Sequence, residues 1–319
     1  MKSKEESVVI GVDLGGTAIK AGIVSASGTI LYQNKLPSNA DKGPSAVVKQ
    51  IGACVWEALE HTGGATVTGI GVGAPGVVDD DGVVKSPPNF VQWDEVPLKA
   101  ELGKLFPGLA IGIENDANAA AIAESRFGAG IQYPNFLFVI WGTGVGGGII
   151  LHHKIYRGPT GGAGEIGHIS IDYKGPQCNC GNIGCVEAYV GQRYLSQRTA
   201  DRLKSHPESK ILQLVGGDLS KVEPMYISQA AHDGDEVARG ILIEAGELLG
   251  VALAAVMNVM DLRVSIIGGG ISAAGDFVMS AIQDSVVRHV LKPLRKDIRV
   301  LSAQLGNNAG ILGAAGLVL

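Results

Sequence analysis

Aromatic residues, clustered positive charge and long apolar runs are all scarce in this sequence. Phe, Trp and Tyr make up only 5% of the 319 residues, whereas Gly alone accounts for 47. This balance favours tight turns and close backbone approach over a heavy aromatic core. The formal net charge is -5 and the basic residues are scattered. We therefore expect no nucleic-acid partner, because such proteins carry a concentrated basic patch.

Membrane-spanning and disulfide-stapled architectures are also disfavoured. The longest apolar runs, near Gly250–Val259 and Ala309–Leu319, are shorter than the roughly 20 residues that a membrane span needs. Residues 1–7 form a short, charged segment without an apolar signal region. Three of the four cysteines lie within eight residues, which is unusual for a disulfide scaffold of this length. We expect a cytoplasmic protein of a reducing compartment, without a membrane partner.

The length and the apolar content predict two α/β lobes. A chain of 319 residues with 46% apolar residues is long for a single core. A strand, a Gly/Thr turn and a second strand occur at residues 8–24 and again at 135–153. The turns contain Asp13-Leu14-Gly15-Gly16-Thr17 and Gly142-Thr143-Gly144-Val145-Gly146-Gly147-Gly148. This repetition indicates a duplicated unit, each half supplying one phosphate-facing loop.

The first hairpin has a functional and an ordinary interpretation. Gly15 and Gly16 would let backbone amides approach an anion, and Thr17 adds a hydroxyl. Asp13, at the strand end, could hold a metal-bound water. The alternative is a plain hairpin whose Asp caps the turn.

A second acidic position follows a short strand at 110–113. Asp116 stands at or near the start of a helix predicted at 117–127. It is either a helix cap or a carboxylate held ionised by the helix dipole and poised to accept a proton. Spacing alone leaves both possibilities open.

A third glycine turn, Gly268-Gly269-Gly270, joins a strand at 263–267 to a helix that we expect Ser272 to cap. Such a turn suits a planar ligand lying against backbone, or simply tight helix–sheet packing. Two G-x-G-x-x-G matches begin at Gly71 and Gly142. Neither is followed by a helix, so they do not support binding of NAD.

The most specific feature is a metal-ligand pattern, H-x9-C-x-C-x4-C. Its members are His168, Cys178, Cys180 and Cys185, a Cys3His set without an open coordination position. We therefore predict a structural zinc ion, with free thiols as the alternative. Two carboxylates, Glu165 and Glu187, bracket the cluster. Cys54 lies in a predicted helix and is interpreted as a buried small hydrophobe.

Together these motifs resemble the ROK family of repressors, open-reading-frame proteins and sugar kinases. The resemblance rests on Asp13–Thr17, Glu114–Asp116, Gly142–Gly148, Glu165–His168 and the knuckle Cys178–Glu187. It implies an α/β fold of two ribonuclease-H-like (actin/hexokinase/Hsp70-type) lobes with a central cleft and a zinc-binding loop. The implied boundaries are 1–117 with a C-terminal helix at 305–319 for the small lobe, and 118–304 for the large lobe.

The resemblance also implies residue roles. Asp13, Gly15, Gly16 and Thr17 would hold phosphates and Mg²⁺, Thr143 and Gly144 the γ-phosphate side of ATP, and Gly268, Gly269 and Gly270 adenosine. Gly76, Asn89, Asn115, Asp116, Glu165, His168 and Glu187 would bind the sugar. Asp116 would be the base that accepts the proton of the hexose 6-hydroxyl. One departure is Trp141, where a smaller apolar residue is expected.

The implied activity is ATP- and Mg²⁺-dependent phosphorylation of a hexose at the 6-hydroxyl, with glucose preferred, in a homodimer. Other hexoses and N-acetylmannosamine are alternative substrates, and a non-catalytic sugar sensor is an alternative function. A sensor would not need to keep Asp13, Gly16, Thr17 and Asp116. The first hairpin begins within the first dozen residues, which leaves no room for an N-terminal helix-turn-helix.

Overall fold

The computed structural model describes residues 7–319, which pack into two compact units. The first contains the chain up to Pro134 together with Gly148–Gly164 and Gln304–Leu319, and the second contains Asn135–Gly147 and Glu165–Ala303. The family resemblance assigns residues 118–134 and 148–164 to the large lobe, but here they pack with the N-terminal part of the chain. The predicted lobe boundaries therefore differ from the two compact units.

The strands and helices are as follows. The strands are β1 (Ser7–Leu14), β2 (Ala18–Ser25), β3 (Ile30–Pro37), β4 (Thr66–Ala74), β5 (Val77–Val78), β6 (Val84–Lys85), β7 (Glu95–Val96), β8 (Ala110–Asn115), β9 (Phe136–Trp141), β10 (Val145–Leu151), β11 (Lys154–Tyr156), β12 (Val264–Gly268) and β13 (Arg299–Ser302). The α-helices are α1 (Pro44–Glu60), α2 (Leu98–Leu105), α3 (Asp116–Phe127), α4 (Glu187–Val190), α5 (Gln192–Leu203), α6 (Lys210–Leu214), α7 (Pro224–His232), α8 (Glu236–Met260), α9 (Asp276–His289) and α10 (Ala309–Gly316).

Two five-stranded sheets repeat one topology. The first has the order β3-β2-β1-β4-β8 and the second the order β11-β10-β9-β12-β13. In the first, β1, β2 and β3 form an antiparallel meander, and β4 and β8 continue in parallel from β1. In the second, β10 and β11 are antiparallel, and β12 is parallel to both β9 and β13. The duplication predicted from the two glycine hairpins is confirmed, as is the α/β class.

Alternation along the central strands fills both faces of the first sheet. Successive side chains of a strand point to opposite faces. On one face Val8, Ile10 and Val12 belong to a buried cluster with α1 and α2. On the other face Val9 packs with Ile311 and neighbouring apolar residues of α10. The C-terminal helix thus covers the face of the sheet that α1 leaves open.

Glycine permits α10 to lie directly on the strands. A Cβ atom at Gly71 of β4 would overlap the Ala314 carbonyl group of α10, and one at Gly11 of β1 would overlap the Ile311 carbonyl oxygen. Both obstacles are backbone atoms, which cannot rotate away. The glycine-rich composition therefore serves close helix–sheet packing at this position.

Helix α8 is the long core helix of the second unit. Its buried residues recur at helical spacing, among them Ala238, Leu242, Ala245 and Leu249. Asp235 caps it, accepting hydrogen bonds from two backbone N–H groups of the first turn at 2.8 and 3.0 Å. By length and hydropathy alone this helix could cross a membrane, but 56% of its most apolar window is buried in the protein. Burial of this kind is typical of a core helix.

Two local predictions differ from the structure. The helix expected from residue 188 to 204 is interrupted at Gly191, whose extended backbone (φ -62°, ψ 149°) separates α4 from α5. Ser272 does not cap a helix but opens a short 3₁₀ turn, and α9 begins only at Asp276. Gly275, with φ 133°, supplies the backbone conformation between them.

We expect the Gly71→Ala variant to lose about 1–3 kcal/mol of unfolding free energy, because its Cβ would overlap rigid backbone. The matched control is Gly103→Ala in α2, where an added Cβ meets nothing within 4 Å. That variant should gain about 0.5–1 kcal/mol from reduced freedom of the unfolded chain. Urea unfolding of both proteins checks this. Equal stabilities would show that α10 does not lie so close to β4.

Candidate active site

The first glycine hairpin presents a fixed, exposed turn. Gly16 and Thr17 are exposed, while their carbonyl oxygens accept hydrogen bonds from Ser38, from its hydroxyl at 2.7 Å and its N–H at 3.1 Å. Gly15 donates to the Ala18 carbonyl at 2.9 Å across the turn. The loop is thus held through its carbonyl groups, and the exposed backbone of the turn suits an anion.

Asp13, at the end of β1, lies between a lysine and a helix start. Its Oδ2 is 3.4 Å from Lys20 Nζ, and a Cβ at Gly310 in the first turn of α10 would contact its Cγ at 2.6 Å. The start of a helix and a lysine thus both place positive charge beside this carboxyl group. Mg²⁺ in phosphoryl-transfer sites uses one or two carboxylates, water and substrate phosphates. Asp13 and the neighbouring hairpin fit that requirement.

The start of α3 brings three predicted sugar ligands together. Asn115 is the helix cap, its Oδ1 accepting from the N–H groups of Ala117 at 2.9 Å and Asn118 at 3.1 Å. Its Nδ2 donates to the Gly76 carbonyl at 2.9 Å. Asp116 is the first helical residue and is exposed. Asn115 is thus the helix cap, and Asp116 Oδ1 also accepts a hydrogen bond from the Ala117 N–H at 2.8 Å, which places the Asp116 carboxylate at the positive end of the helix.

Strand register places Asp13 and the β8 end at one edge of the first sheet. Asp13 of β1 is in register with Gly73 of β4, and Gly73 with Glu114 of β8. Two strand spacings amount to roughly 10 Å, with only a glycine between the two acidic positions. Asn89, with φ 67° and an exposed side chain, lies beside the same hairpin, its Cβ 3.7 Å from where a Cβ of Gly16 would be.

In the second unit, Glu187 is bound to the second glycine loop. Its Oε2 accepts a hydrogen bond from the Val145 N–H at 2.8 Å. A Cβ at Gly144 would overlap this same carboxylate oxygen, so a larger residue there would displace the carboxylate from Val145. Gln192, the first residue of α5, donates its N–H to the carbonyls of Gly142 and Thr143, both at 3.1 Å. The loop is held from two sides while the Thr143 side chain remains exposed.

Trp141 connects this loop to the third glycine turn. The indole is fully buried, and its Nε1 donates to the Val190 carbonyl at 2.8 Å. Its own carbonyl accepts from the Ile271 N–H at 3.2 Å. A Cβ at Gly269, where φ is 96°, would overlap the Trp141 backbone. The larger residue is accommodated because its indole N–H has a buried acceptor.

A pocket of about 460 Å³ opens beside these two turns in the second unit. Its lining residues are Gly142, Gln192, Glu223, Pro224, Met225, Ser228, Gln229, His232, Leu242, Gly270, Ile271 and Ala274. Small-molecule sites typically combine such apolar walls with a few polar groups. Gly270, which was predicted to contact adenosine, thus lines this pocket. That α7 would form one of its walls was not predicted from the sequence. No motif in the sequence marks α7, because its contribution depends on tertiary packing.

The predicted zinc ligands converge. One ligand atom from each of His168, Cys178, Cys180 and Cys185 lies within 4.8 Å of the others. His168 Nδ1 is 3.8 Å from Cys178 Sγ, and the sulfurs of Cys180 and Cys185 are 3.6 Å apart. Tetrahedral zinc with bonds of about 2.3 Å to sulfur requires sulfur–sulfur distances of about 3.8 Å. The cluster is compatible with zinc.

The thiols of this cluster oppose one another's ionisation. Burial, followed by the neighbouring thiols, raises the pKa of Cys185 to about 12, and burial raises the pKa of Cys178. The Asn182 N–H lowers that of Cys180. Three thiolates at this spacing would repel one another without a positive charge between them.

The other ring nitrogen of His168 faces a predicted sugar ligand. His168 Nε2 is 4.0 Å from Glu165 Oε2, while Nδ1 faces the cysteines. A metal bound through Nδ1 would leave the Nε2–H free to donate. The Glu165 carboxylate is 54% exposed. The cluster thus sets the position of an imidazole and a carboxylate on its outer side.

Sequence reasoning also missed an ion pair in the first unit. Glu114, 2% exposed, precedes Asn115, and its Oε2 is 3.0 Å from Arg157 Nε. The two residues are 43 positions apart, so no local pattern links them. The available signal was a charged residue at the end of a core strand, where burial without a partner is unfavourable.

The duplicated fold and the paired glycine loops define a protein of the actin/hexokinase/Hsp70 class. The profile of the ROK family matches residues 9–319, and the chain therefore belongs to this family. The glucokinase of Streptomyces coelicolor is 38% identical over 314 residues, with 97% of both chains covered. That of Thermotoga maritima is 34% identical over 311 residues, covering 97% of this chain and 96% of the relative.

Similar structures agree with this assignment. A ROK family glucokinase from Streptomyces griseus, in complex with glucose and AMPPNP, superposes with a TM-score of 0.83 at 39% identity, covering 98% of this chain and 99% of that one. The family is functionally mixed, however. The xylose repressor of Bacillus subtilis is 28% identical over 99% of this chain and 78% of its own. Lmo2764 of Listeria monocytogenes, a proposed N-acetylmannosamine kinase, has a TM-score of 0.76 at 25% identity over 97% of both chains.

We expect the purified protein to carry about one zinc ion per chain, as a closed Cys3His set implies. Cys180→Ser should lose the metal, melt at lower temperature and bind hexose more weakly, because the loop carrying His168 loosens. Cys54→Ala is the matched control, since that thiol is buried in α1. Elemental analysis, thermal melts and hexose titration check this. A metal-free wild type of full stability and hexose affinity would contradict it.

Proposed function

We propose that the protein is an ATP- and Mg²⁺-dependent hexose kinase whose preferred substrate is glucose. The observation that carries the proposal is the arrangement at the end of β8. There an exposed carboxylate, Asp116, stands on a backbone fixed by Asn115 and Gly76. It shares its sheet edge with the hairpin that contains Asp13. The similarity to glucokinases over nearly the whole chain supports it.

The nucleotide roles follow from the glycine turns. Gly15, Gly16 and Thr17 present an exposed turn for phosphate oxygens, and Asp13 would hold Mg²⁺ through water. Thr143 and Gly144 would contact the γ-phosphate side of ATP. The pocket beside Gly268, Gly269 and Gly270 has the size and lining of a site for adenosine. When bound, Mg²⁺ would supply charge neutralisation for the phosphates.

The hexose ligands are proposed to be Gly76, Asn89, Asn115, Asp116, Glu165, His168 and Glu187. Carboxylate oxygens accept hydrogen bonds from hydroxyl groups, and His168 Nε2–H and the amides can donate to them. The carboxylates at 116, 165 and 187 would thus bind sugar hydroxyls as acceptors. The zinc ion is proposed to be structural, because its four ligands leave no open position.

The chemical step requires little from the base. The 6-hydroxyl oxygen attacks the γ-phosphorus, the bond from that phosphorus to the ADP oxygen breaks, and the hydroxyl proton passes to an Asp116 carboxylate oxygen. Phosphoryl transfer proceeds through a loose transition state, so positioning and charge stabilisation dominate. A carboxylate of ordinary acidity suffices under these conditions. The α3 N-terminus favours its charged form before the transfer.

Two alternatives differ in the identity of the sugar and in whether the bound sugar is phosphorylated or only sensed. N-acetylmannosamine is a candidate substrate because of the similarity to Lmo2764, and a sugar sensor because of the similarity to xylose repressors. Retention of Asp13, Gly16, Thr17 and Asp116 favours a kinase, since a sensor needs neither a phosphate loop nor a base. A homodimer remains a prediction from the family resemblance, and a cytoplasmic location remains a prediction from the cysteine usage and the lack of an apolar signal region.

We expect MgATP and glucose to yield ADP and glucose 6-phosphate, with kcat/KM higher for glucose than for mannose, fructose, allose or N-acetylmannosamine. A coupled ADP assay over this panel, with each sugar omitted in turn as the blank, measures it. A different preferred sugar would correct the substrate. The absence of turnover with every sugar, combined with hexose binding in calorimetry, would favour the sensor.

Asp116→Asn should lower kcat by about 10²- to 10⁴-fold, the range of general-base catalysis, while leaving the hexose dissociation constant near that of the wild type. The amide keeps the size of the side chain but accepts a proton poorly. Asp276→Asn is the matched control, because Asp276 is an exposed acid in the first turn of α9. Near-normal turnover of Asp116→Asn would reject Asp116 as the base.

A further inference from the structure

Glu114 is a buried carboxylate directly before the proposed base region. It is 2% exposed. Its Oε1 accepts hydrogen bonds from the Asn115 N–H at 2.9 Å and from Asn118 Nδ2 at 3.1 Å. One oxygen of Glu114 therefore fixes both the backbone leading into Asp116 and a side chain in the first turn of α3.

The second oxygen of Glu114 faces Arg157, which follows β11. Arg157 Nε is 3.0 Å from Glu114 Oε2. Its Nη2 donates to the carbonyls of Val78 at 3.3 Å and Asp79 at 3.2 Å, and its Nη1 lies 3.1 Å from Asp80 Oδ1. The planar guanidinium thus joins β8 to the hairpin that begins with β5, a task for which its fork of donors is suited.

The same hairpin follows Gly76, whose carbonyl accepts from Asn115 Nδ2. Two connections therefore run between the hairpin and the start of α3, one through Asn115 and one through Glu114 and Arg157. Each connection thus links the segment of Gly76 to the segment of Asn115 and Asp116, and all three are proposed hexose ligands. A displacement at either end would move Gly76 relative to Asn115 and Asp116.

The Glu114–Arg157 ion pair is expected to add little to the free energy of unfolding, so its main effect is to fix the positions of the segments it joins. Burial raises the pKa of the Glu114 carboxyl, and the Asn115 N–H and the Arg157 charge oppose that effect. Burying an ion pair costs desolvation that its attraction barely repays, and apolar pairs often replace one without loss. Asp80, the other acidic partner of Arg157, is 89% exposed, so solvent screens its contribution.

We propose that Glu114 and Arg157 form a positioning pair that holds Gly76, Asn115 and Asp116 in the arrangement required for hexose binding and proton transfer. The proposal rests on the proposed hexose kinase function. Neither residue touches the sugar. Their effect reaches it through the Asn115 backbone and the hairpin after Gly76, without a direct effect on the second glycine loop.

The test compares Arg157→Gln, Arg157→Lys and the double variant Glu114→Gln/Arg157→Gln with the wild type. Each should raise the KM for hexose and lower kcat, with a combined loss in kcat/KM for hexose of about 10²-fold, the cost of a misplacement of about 1 Å. The KM for ATP should stay within about twofold. The double variant has no buried charge left unpaired, so it should melt near the wild type while keeping the kinetic defect.

Arg157→Lys separates charge from geometry, because lysine keeps the positive charge but lacks the planar fork. Asp80→Asn is the matched control, since it removes only the exposed partner of Arg157 and should leave both KM values and kcat unchanged. If Arg157→Gln cannot be purified folded, Arg157→Lys and the double variant carry the test.

The outcomes are distinct. Stable variants with wild-type hexose KM and kcat, or a fully active Arg157→Lys, would overturn the positioning role while leaving the kinase function intact. Equal increases in the KM for hexose and ATP would indicate general loosening and would also overturn it. A wild type that neither binds nor phosphorylates any hexose, by calorimetry and ADP assay, would overturn the proposed function itself.

Discussion

A hydrogen bond from the Val145 N–H to the Glu187 carboxylate joins the second glycine loop to the cysteine knuckle. It is 2.8 Å long, and the absence of a Cβ at residue 144 leaves room for the carboxylate oxygen. Val145 begins β10, and Glu187 begins α4, two residues after Cys185. The glycine loop and a proposed sugar ligand therefore take their positions from each other. A change on either side of this bond would be transmitted to the other.

The Cys3His cluster lies next to Glu187 in the sequence and fixes the chain segment that carries this hydrogen bond. Cys185 is fully buried and is followed by Val186, whose N–H donates to the Ile169 carbonyl at 2.9 Å. Ile169 itself follows His168, the ligand from the other arm of the cluster. A metal that fixes His168 and Cys185 thus also fixes the two chain segments that carry Glu165 and Glu187. In the proposed zinc site four protein ligands would leave no coordination position for substrate, so the contribution of the metal would be mechanical.

Features coded by neighbouring residues were predictable, and features made by distant contacts were not. The two hairpins and the Cys3His set follow from spacing within a few residues, because turns and metal ligands are local. The Glu114–Arg157 pair and the α7 wall of the pocket join segments far apart in sequence. The family resemblance predicts a smaller residue at Trp141, and no local pattern shows the acceptor of its indole N–H, the Val190 carbonyl, which lies 49 residues away. The roles of the predicted site residues remain predictions that depend on enzymology.

The edge of the first sheet explains why two acidic positions can serve different tasks. Parallel strands β1, β4 and β8 end together, and register sets Asp13, Gly73 and Glu114 side by side. Gly73 lies between them, so the two acidic positions are two strand spacings apart, roughly 10 Å, and Ala119 of α3 packs against this glycine. Asp13 has Lys20 and the start of α10 beside it. Asp116 is the first residue of α3, and its side chain is exposed. In the proposed kinase Asp13 would hold a metal-bound water and Asp116 would accept a proton, and their different surroundings are compatible with these separate roles.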